Sequence, residues 1–217
     1  MKPKLIIFDF DGTLCDTRKS IIIAFRATME RLGLPMRSEE ECAATIGLTL
    51  YDGFRSLYPN FGDNEAEHAV ETYRAIFAEQ RKELMPDLFP KVGETLDTLY
   101  NNGYTLSIAS SRLTDSLMLF MQAHHIDHYF SYVVGSDSVT HHKPHAEPVL
   151  VTLQELGVDA SEAIVVGDMP VDILMARNAG VVNVGITWGN ASREELQQAE
   201  ADYIIDHIET LLTLLER

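Results

Sequence analysis

Cysteine is nearly missing from this chain: two in 217 residues, Cys15 and Cys42. Two isolated thiols cannot build a disulfide framework, and their placement lacks the paired spacing of a structural zinc site. Long apolar runs are missing as well. None approaches the ~20 residues that a membrane-spanning helix requires, and the opening residues lack the pattern of an export signal. The expectation is a cytoplasmic protein with no membrane partner. Positive charge is scarce, with 17 Lys and Arg against 33 Asp and Glu and a formal net charge of −16. Long-range repulsion then opposes encounter with nucleic acid and with anionic lipid surfaces. Nor is there a GxxxxGK[ST] loop, so a nucleoside-triphosphatase of the P-loop type lacks its phosphate cradle. No internal repeat or low-complexity segment stands out.

What is present is a folded, soluble composition, 46% hydrophobic, in which two textures alternate. Short apolar runs bounded by Gly, Asp or Ser occur at residues 4–8 (KLIIF), 105–109 (TLSIA), 132–134 (YVV), 163–166 (AIVV) and 181–186 (VVNVGI). They lack period-two alternation, as expected of strands covered on both faces. Amphipathic segments at about 93–102, 114–124, 147–156 and 171–179 separate the later runs. Strand, helix, strand, helix predicts right-handed crossovers and a parallel sheet in a doubly wound α/β fold. One connection is far too long for a crossover. About ninety-five residues separate the first run from the second, where a dozen suffice. This insert reads as helical. Ile21, Phe25, Thr28, Met29 and Leu32 share one face, as do Ala66, Ala69, Val70, Tyr73 and Phe77, and Ser38 with Glu41 forms a capping-box pattern. The expected organisation is an α/β core from residues 1–15 and 86–217 with a small α-helical cap at 16–85. Pro86 and Pro90 punctuate the return.

Ligands of open α/β sheets bind beyond the carboxyl ends of the strands. The residues following each apolar run are Asp9 and Asp11; Ser110, Ser111 and Arg112; Lys143 and Pro144; and Gly167, Asp168 and Asp172. Carboxylates gathered at one sheet edge are costly unless a cation neutralises them, and hard oxygen ligands suit Mg²⁺. The lysine points to a second anion. A carboxylate, Mg²⁺, a lysine and a hydroxyl around one spot suit phosphoryl transfer, in which positioning and charge neutralisation do most of the catalysis. Asp9 at a strand tip is placed to attack phosphorus. Asp11, two residues on, is placed to protonate the leaving oxygen and then to deprotonate water.

Taken together, DFDGT at 9–13, Ser110 in SIASS, KPHAEP at 143–148 and VGDMPVD at 166–172 resemble, in order, the four motifs of the haloacid dehalogenase superfamily, in its phosphatase branch with an inserted helical cap. The resemblance covers nearly the whole chain. It implies that Asp9 is nucleophile and Mg²⁺ ligand, and that Asp11 is general acid and base with its backbone carbonyl on the metal. It further implies that Ser110 and Lys143 hold the transferring phosphoryl group, and that Asp168 completes the metal site with help from Asp172. Gly12, Thr13, Ser111, Arg112 and Gly47 are the expected substrate-contacting positions. The lysine loop departs from the family at Ala146, where Pro is usual. Thr13 follows the DGT of the phosphatases rather than the DGV of sugar-phosphate mutases. IGLTLYDGF and ITWGNAS resemble segments of phosphoglycolate phosphatases and related pyrophosphatases.

The resulting expectation is Mg²⁺-dependent hydrolysis of a small phosphorylated metabolite, phosphoglycolate first, by a monomer or homodimer. A pyrophosphatase, a 5′-nucleotidase and a β-phosphoglucomutase-like mutase are the enzymatic alternatives. A receiver-like phosphoacceptor module is the rival from another class, but receivers lack the insert and lack an acid/base at the position of Asp11. The clustered histidines at 124–125, 141–142 and 145 show no zinc spacing and read as surface loops. Arg18 and Arg55 read as exposed, salt-bridging side chains, and Cys15 as a neutral buried thiol.

Overall fold

Four residues with no exposed surface, Leu5–Phe8, form strand β1 at the centre of a six-stranded sheet. Their side chains alternate in direction. Leu5 and Ile7 join Val149, Leu153, Met175 and Ala176 in one apolar cluster. Ile6 and Phe8 face the other way and are equally buried. Burial on both faces is why the run shows no polar alternation.

The computed structural model describes residues 3–215. The remaining strands are β2 (Thr105–Ala109), β3 (Phe130–Val134), β4 (Ala163–Gly167), β5 (Val182–Ile186) and β6 (Tyr203–Ile205). All pairings are parallel, in the order β3-β2-β1-β4-β5-β6. The chain therefore winds outward from β1 in one direction through β2 and β3, and in the other through β4 to β6. Phe8 pairs with Ile108 on one side and Val166 on the other. The reversal of winding thus falls at the carboxyl end of β1, where such sheets bind ligands.

By contacts the chain divides into two compact units, one running to Asp16 and resuming at Leu88, the other Thr17–Asp87. The first holds the sheet and, in chain order after the second unit's four helices, α5 (Val92–Asn101), α6 (Thr114–Ala123), α7 (Glu147–Leu156), α8 (Pro170–Asn178), α9 (Arg193–Gln198) and α10 (Thr210–Leu215). The second is all helical: α1 (Arg18–Leu32), α2 (Glu39–Ala43), α3 (Leu50–Leu57) and α4 (Asp63–Glu79). Phe25, Phe54 and Tyr73 form its aromatic centre, with centroids 4.9 to 6.3 Å apart. The Ser38–Glu41 capping box is formed, the Glu41 side chain accepting from the Ser38 N–H at 2.8 Å and the Ser38 hydroxyl from the Glu41 N–H at 3.1 Å.

Several elements depart from the sequence reading, among them the short helices α9 and α10, to which it assigned nothing. Strand β6 has three residues, too few to show a period. Helix α3 lies in IGLTLYDGF and beyond it, a stretch to which the sequence reading assigned no helix of its own, and its Phe54 is core. Strand β3 begins two residues earlier than its apolar run. Among the described residues no helix is long and apolar enough to cross a membrane.

Candidate active site

Asp9 extends the central strand by one residue, its N–H donating to the Val166 carbonyl at 2.8 Å. The chain then turns tightly, with the N–H groups of Thr13, Leu14 and Cys15 all directed at the Phe10 carbonyl. Phe10 is fully buried and stacks on Phe120 of α6 at 6.1 Å. One apolar anchor between two carboxylates accounts for the DFD spacing. Gly12 has φ +86°, and a Cβ there would lie 2.3 Å from Asp168 Oδ2. Both the conformation and the space require glycine.

Lys143 reaches the same point from the loop before α7. Its ammonium donates to Asp9 Oδ1 at 2.5 Å and to Asp172 Oδ1 at 2.6 Å, with the lysine side chain 2% exposed. Asp172 is the third residue of α8, and its other oxygen accepts the Met169 N–H at 3.0 Å, capping the helix. Asp9, Asp168 and Asp172 are all buried and can bring one oxygen each within 4.8 Å of one another. Three carboxylates against one ammonium leave two negative charges uncompensated. Burial pushes Asp9 well above the usual carboxylate range against the opposing pull of Lys143, and Asp172 and Asp168 add to the rise. Burial and Asp172 likewise push Asp168 up to about 7, with the Asn190 hydrogen bonds opposing. Lys143 is held above its ordinary value. Burial works against its charge, but Asp172 and Asp9 outweigh it. The lysine therefore stays charged, and the carboxylates are short of positive charge. A buried, all-oxygen, anionic donor set of this kind fits Mg²⁺.

Asp11 stands outside this trio. Arg112 grips its carboxylate with two parallel bonds, Nη2 to Oδ1 at 2.6 Å and Nε to Oδ2 at 3.1 Å. The guanidinium also donates to Ser116 Oγ at 3.2 Å and lies 4.7 Å over the Phe120 ring. It is 12% exposed and engaged with Asp11. Ser110 follows β2, buried, its N–H bonded to the Val134 carbonyl and its hydroxyl accepting the Arg112 N–H at 3.3 Å. Ser111 is half-buried beside it. Gly47 lies in the helical unit, in a turn with φ +94°. Arg55 pairs with exposed Asp63 at 3.3 Å. His141 and His145 are exposed and adjacent, with Glu147 bonded to His141 Nδ1 at 2.7 Å.

The loop after β5 was not read as part of the site. Asn190 donates to Asp168 Oδ2 twice, from its backbone N–H at 2.7 Å and from Nδ2 at 2.9 Å. Thr13 Oγ1 donates to Asp168 Oδ1 at 3.2 Å, and Trp188 Nε1 donates to the Thr13 carbonyl at 3.0 Å. A Cβ on Gly189 would fall 2.3 Å from that of Asp168, and one on Gly167 2.4 Å from that of Asp172. The WG pair was the one signal that pointed here.

The family model for haloacid dehalogenase-like hydrolases matches residues 6–186. A protein of Dickeya dadantii (strain 3937) named "Probable phosphatase IndB" is 40% identical over 208 residues, 95% of this chain and 90% of that one. Pyrophosphatase PpaX of Bacillus velezensis (strain DSM 23117 / BGSC 10A6 / LMG 26770 / FZB42) is 34% identical over 207 residues, covering 95% and 94%. Among solved structures, a predicted phosphoglycolate phosphatase from Haemophilus somnus 129pt superposes with a TM-score of 0.85 at 26% identity, covering 99% and 98%.

Proposed function

The chain belongs to the haloacid dehalogenase-like hydrolases, and from that premise we propose that it hydrolyses a small phosphomonoester in two steps through a phosphorylated Asp9, with Mg²⁺ as cofactor. The observation that carries the reading is the Asp9 carboxylate, fixed at the tip of a buried strand and bonded to Lys143 within the acidic cluster.

Asp9 attacks phosphorus, forming an acyl phosphate as the bond to the leaving oxygen breaks. Asp11 gives that oxygen its proton. Water then attacks the same phosphorus while Asp11 takes a proton from it, which releases phosphate and restores the Asp9 carboxylate. For both transfers Asp11 exchanges Arg112 for the reacting oxygen. Lys143 and Ser110 hold the phosphoryl oxygens, and Lys143 keeps Asp9 oriented between turnovers. Mg²⁺, held by Asp9, Asp168 and the Asp11 carbonyl with Asp172 direct or through water, would supply charge neutralisation for the carboxylates and the phosphoryl group. Ser111, half-buried beside Ser110, stands nearest the approach, while Gly12 and Thr13 back the site against Asp168.

Phosphoglycolate is the first substrate, on the likeness of the IGLTLYDGF and WG segments. The alternative to a phosphomonoester is the anhydride pyrophosphate, on the 34% identity to a pyrophosphatase over nearly the whole chain. The test is phosphate release with Mg²⁺ over phosphoglycolate, pyrophosphate, nucleoside monophosphates and sugar phosphates, with Asp9→Asn as control. One substrate with kcat/KM on the order of 10⁴ M⁻¹s⁻¹ or more and an inert variant is expected. No turnover across the panel, or an active folded Asp9→Asn, contradicts the reading.

A further inference from the structure

The acidic cluster draws its ionisable groups from β1, β4, α8 and the lysine loop. The loop between β5 and α9 contributes no ionisable group to it, yet donates two hydrogen bonds to one of its carboxylates. Both Asn190 donors converge on one oxygen of Asp168, and Thr13 occupies the other. The space around this contact is closed. A Cβ on Gly12 would lie 2.3 Å from both Asn190 Nδ2 and Asp168 Oδ2, and a Cβ on Gly189 would overlap the Asp168 side chain. Asp168 has no exposed surface. Without those donors its carboxylate could rotate about χ2 and would lose the partners that favour its ionised form. With them, the plane of the carboxylate and the oxygen turned toward Asp9 and Asp172 are fixed.

We propose that Asn190 is a positioning residue that orients Asp168 as a cation ligand, so that the β5–α9 loop sets the Mg²⁺ affinity of the site. The proposal rests on the reading that the Asp9–Asp168–Asp172 cluster holds Mg²⁺. Groups that hydrogen-bond a metal's ligands commonly govern metal affinity by 10- to 100-fold. The side-chain donor is one of two from Asn190, and the backbone donor survives substitution, so the lower end of that range applies. Trp188 separates positioning from general loosening of the loop. It ties the loop to the Thr13 carbonyl and, among the described residues, donates no hydrogen bond to Asp168 itself.

The experiment is titration of the full chain with MgCl₂ by isothermal calorimetry at 25 °C, on protein shown to be folded by circular dichroism. Wild type, Asn190→Ala, Asn190→Ser, Trp188→Phe and Asp168→Asn are compared. The serine variant is too short to span the gap and covers the case in which the alanine variant fails to fold. The expected result is saturable binding to wild type, about tenfold weaker binding in both Asn190 variants, affinity within about twofold of wild type for Trp188→Phe, and loss of binding in Asp168→Asn. If wild type binds and the Asn190 variants bind within twofold of it, the positioning role is wrong while the metal reading stands. Equal weakening in Trp188→Phe also overturns it, since the effect is then general. If wild type shows no saturable binding, the metal reading fails and takes this inference with it.

Discussion

Replacing Lys143 with methionine keeps most of the side-chain volume and removes the ammonium from between two buried carboxylates. Its contacts are 2.5 Å to Asp9 and 2.6 Å to Asp172, with all three side chains at most 6% exposed. Removing one partner of a buried ion pair costs about 3–5 kcal/mol, because the other is left charged and unpaired. Asp172 retains the Met169 N–H, so the loss falls chiefly on Asp9. The variant is thus expected to be about 3–5 kcal/mol less stable at pH 8 in chelator, a large part of the ~5–15 kcal/mol that holds an ordinary domain together. Asp9 can escape by taking up a proton. Going from pH 8 to pH 5 makes that uptake easier by about 4 kcal/mol, at about 1.4 kcal/mol per unit, so most of the deficit should vanish. Guanidinium unfolding followed by Trp188 fluorescence measures this directly, because Trp188 is the chain's one tryptophan and lies in the α/β unit. A deficit below about 1 kcal/mol at pH 8, or an equal deficit at both pH values, refutes the electrostatic account of the cluster.

The remaining predictions concern the same groups. Asp168 binds its proton more tightly folded than unfolded, its value being pushed up to about 7. Metal-free protein should therefore lose stability as pH rises from about 4 to about 7, by at most about 4 kcal/mol, and saturating Mg²⁺ should flatten that slope. A flat chelator profile over this range contradicts it. Gly189→Ala places a Cβ 2.3 Å from that of Asp168. It should cost about 1–3 kcal/mol of stability and weaken Mg²⁺ binding in calorimetry, and unchanged binding refutes the close-packing argument. Asp11→Asn should lower kcat by about 10²–10⁴ while the protein still binds Mg²⁺, and undiminished turnover removes its proton-transfer role.

Strands with both faces covered were legible because apolar runs bounded by Gly and Asp have few other uses. The amphipathic faces of α1 and α4 were legible for the same kind of reason, since three-to-four periodicity persists over 15 and 17 residues. β6 was not, because three residues with one buried carry no pattern. The convergence of Asp9, Lys143, Asp168 and Asp172 followed from strand order, as each stands just past a strand or in the loop or helix that follows. The partner of Asp11 did not. Arg112 reads as a loop cation, and only the turn after β2 directs it back across 101 residues of sequence. Asn190 was hidden for a different reason. A neutral amide in a Gly-containing loop has no distinguishing chemistry until it lies against a buried carboxylate.

The claim on which the account depends is that Asp9 becomes phosphorylated during turnover. The most direct measurement is rapid quench of the wild-type protein during turnover with substrate and Mg²⁺, followed by borohydride reduction and peptide mass spectrometry. Reduction converts an aspartyl phosphate to homoserine. The account predicts that conversion at Asp9 alone, dependent on both substrate and Mg²⁺. Conversion at another carboxylate, or none at any quench time while product is being released, would contradict it.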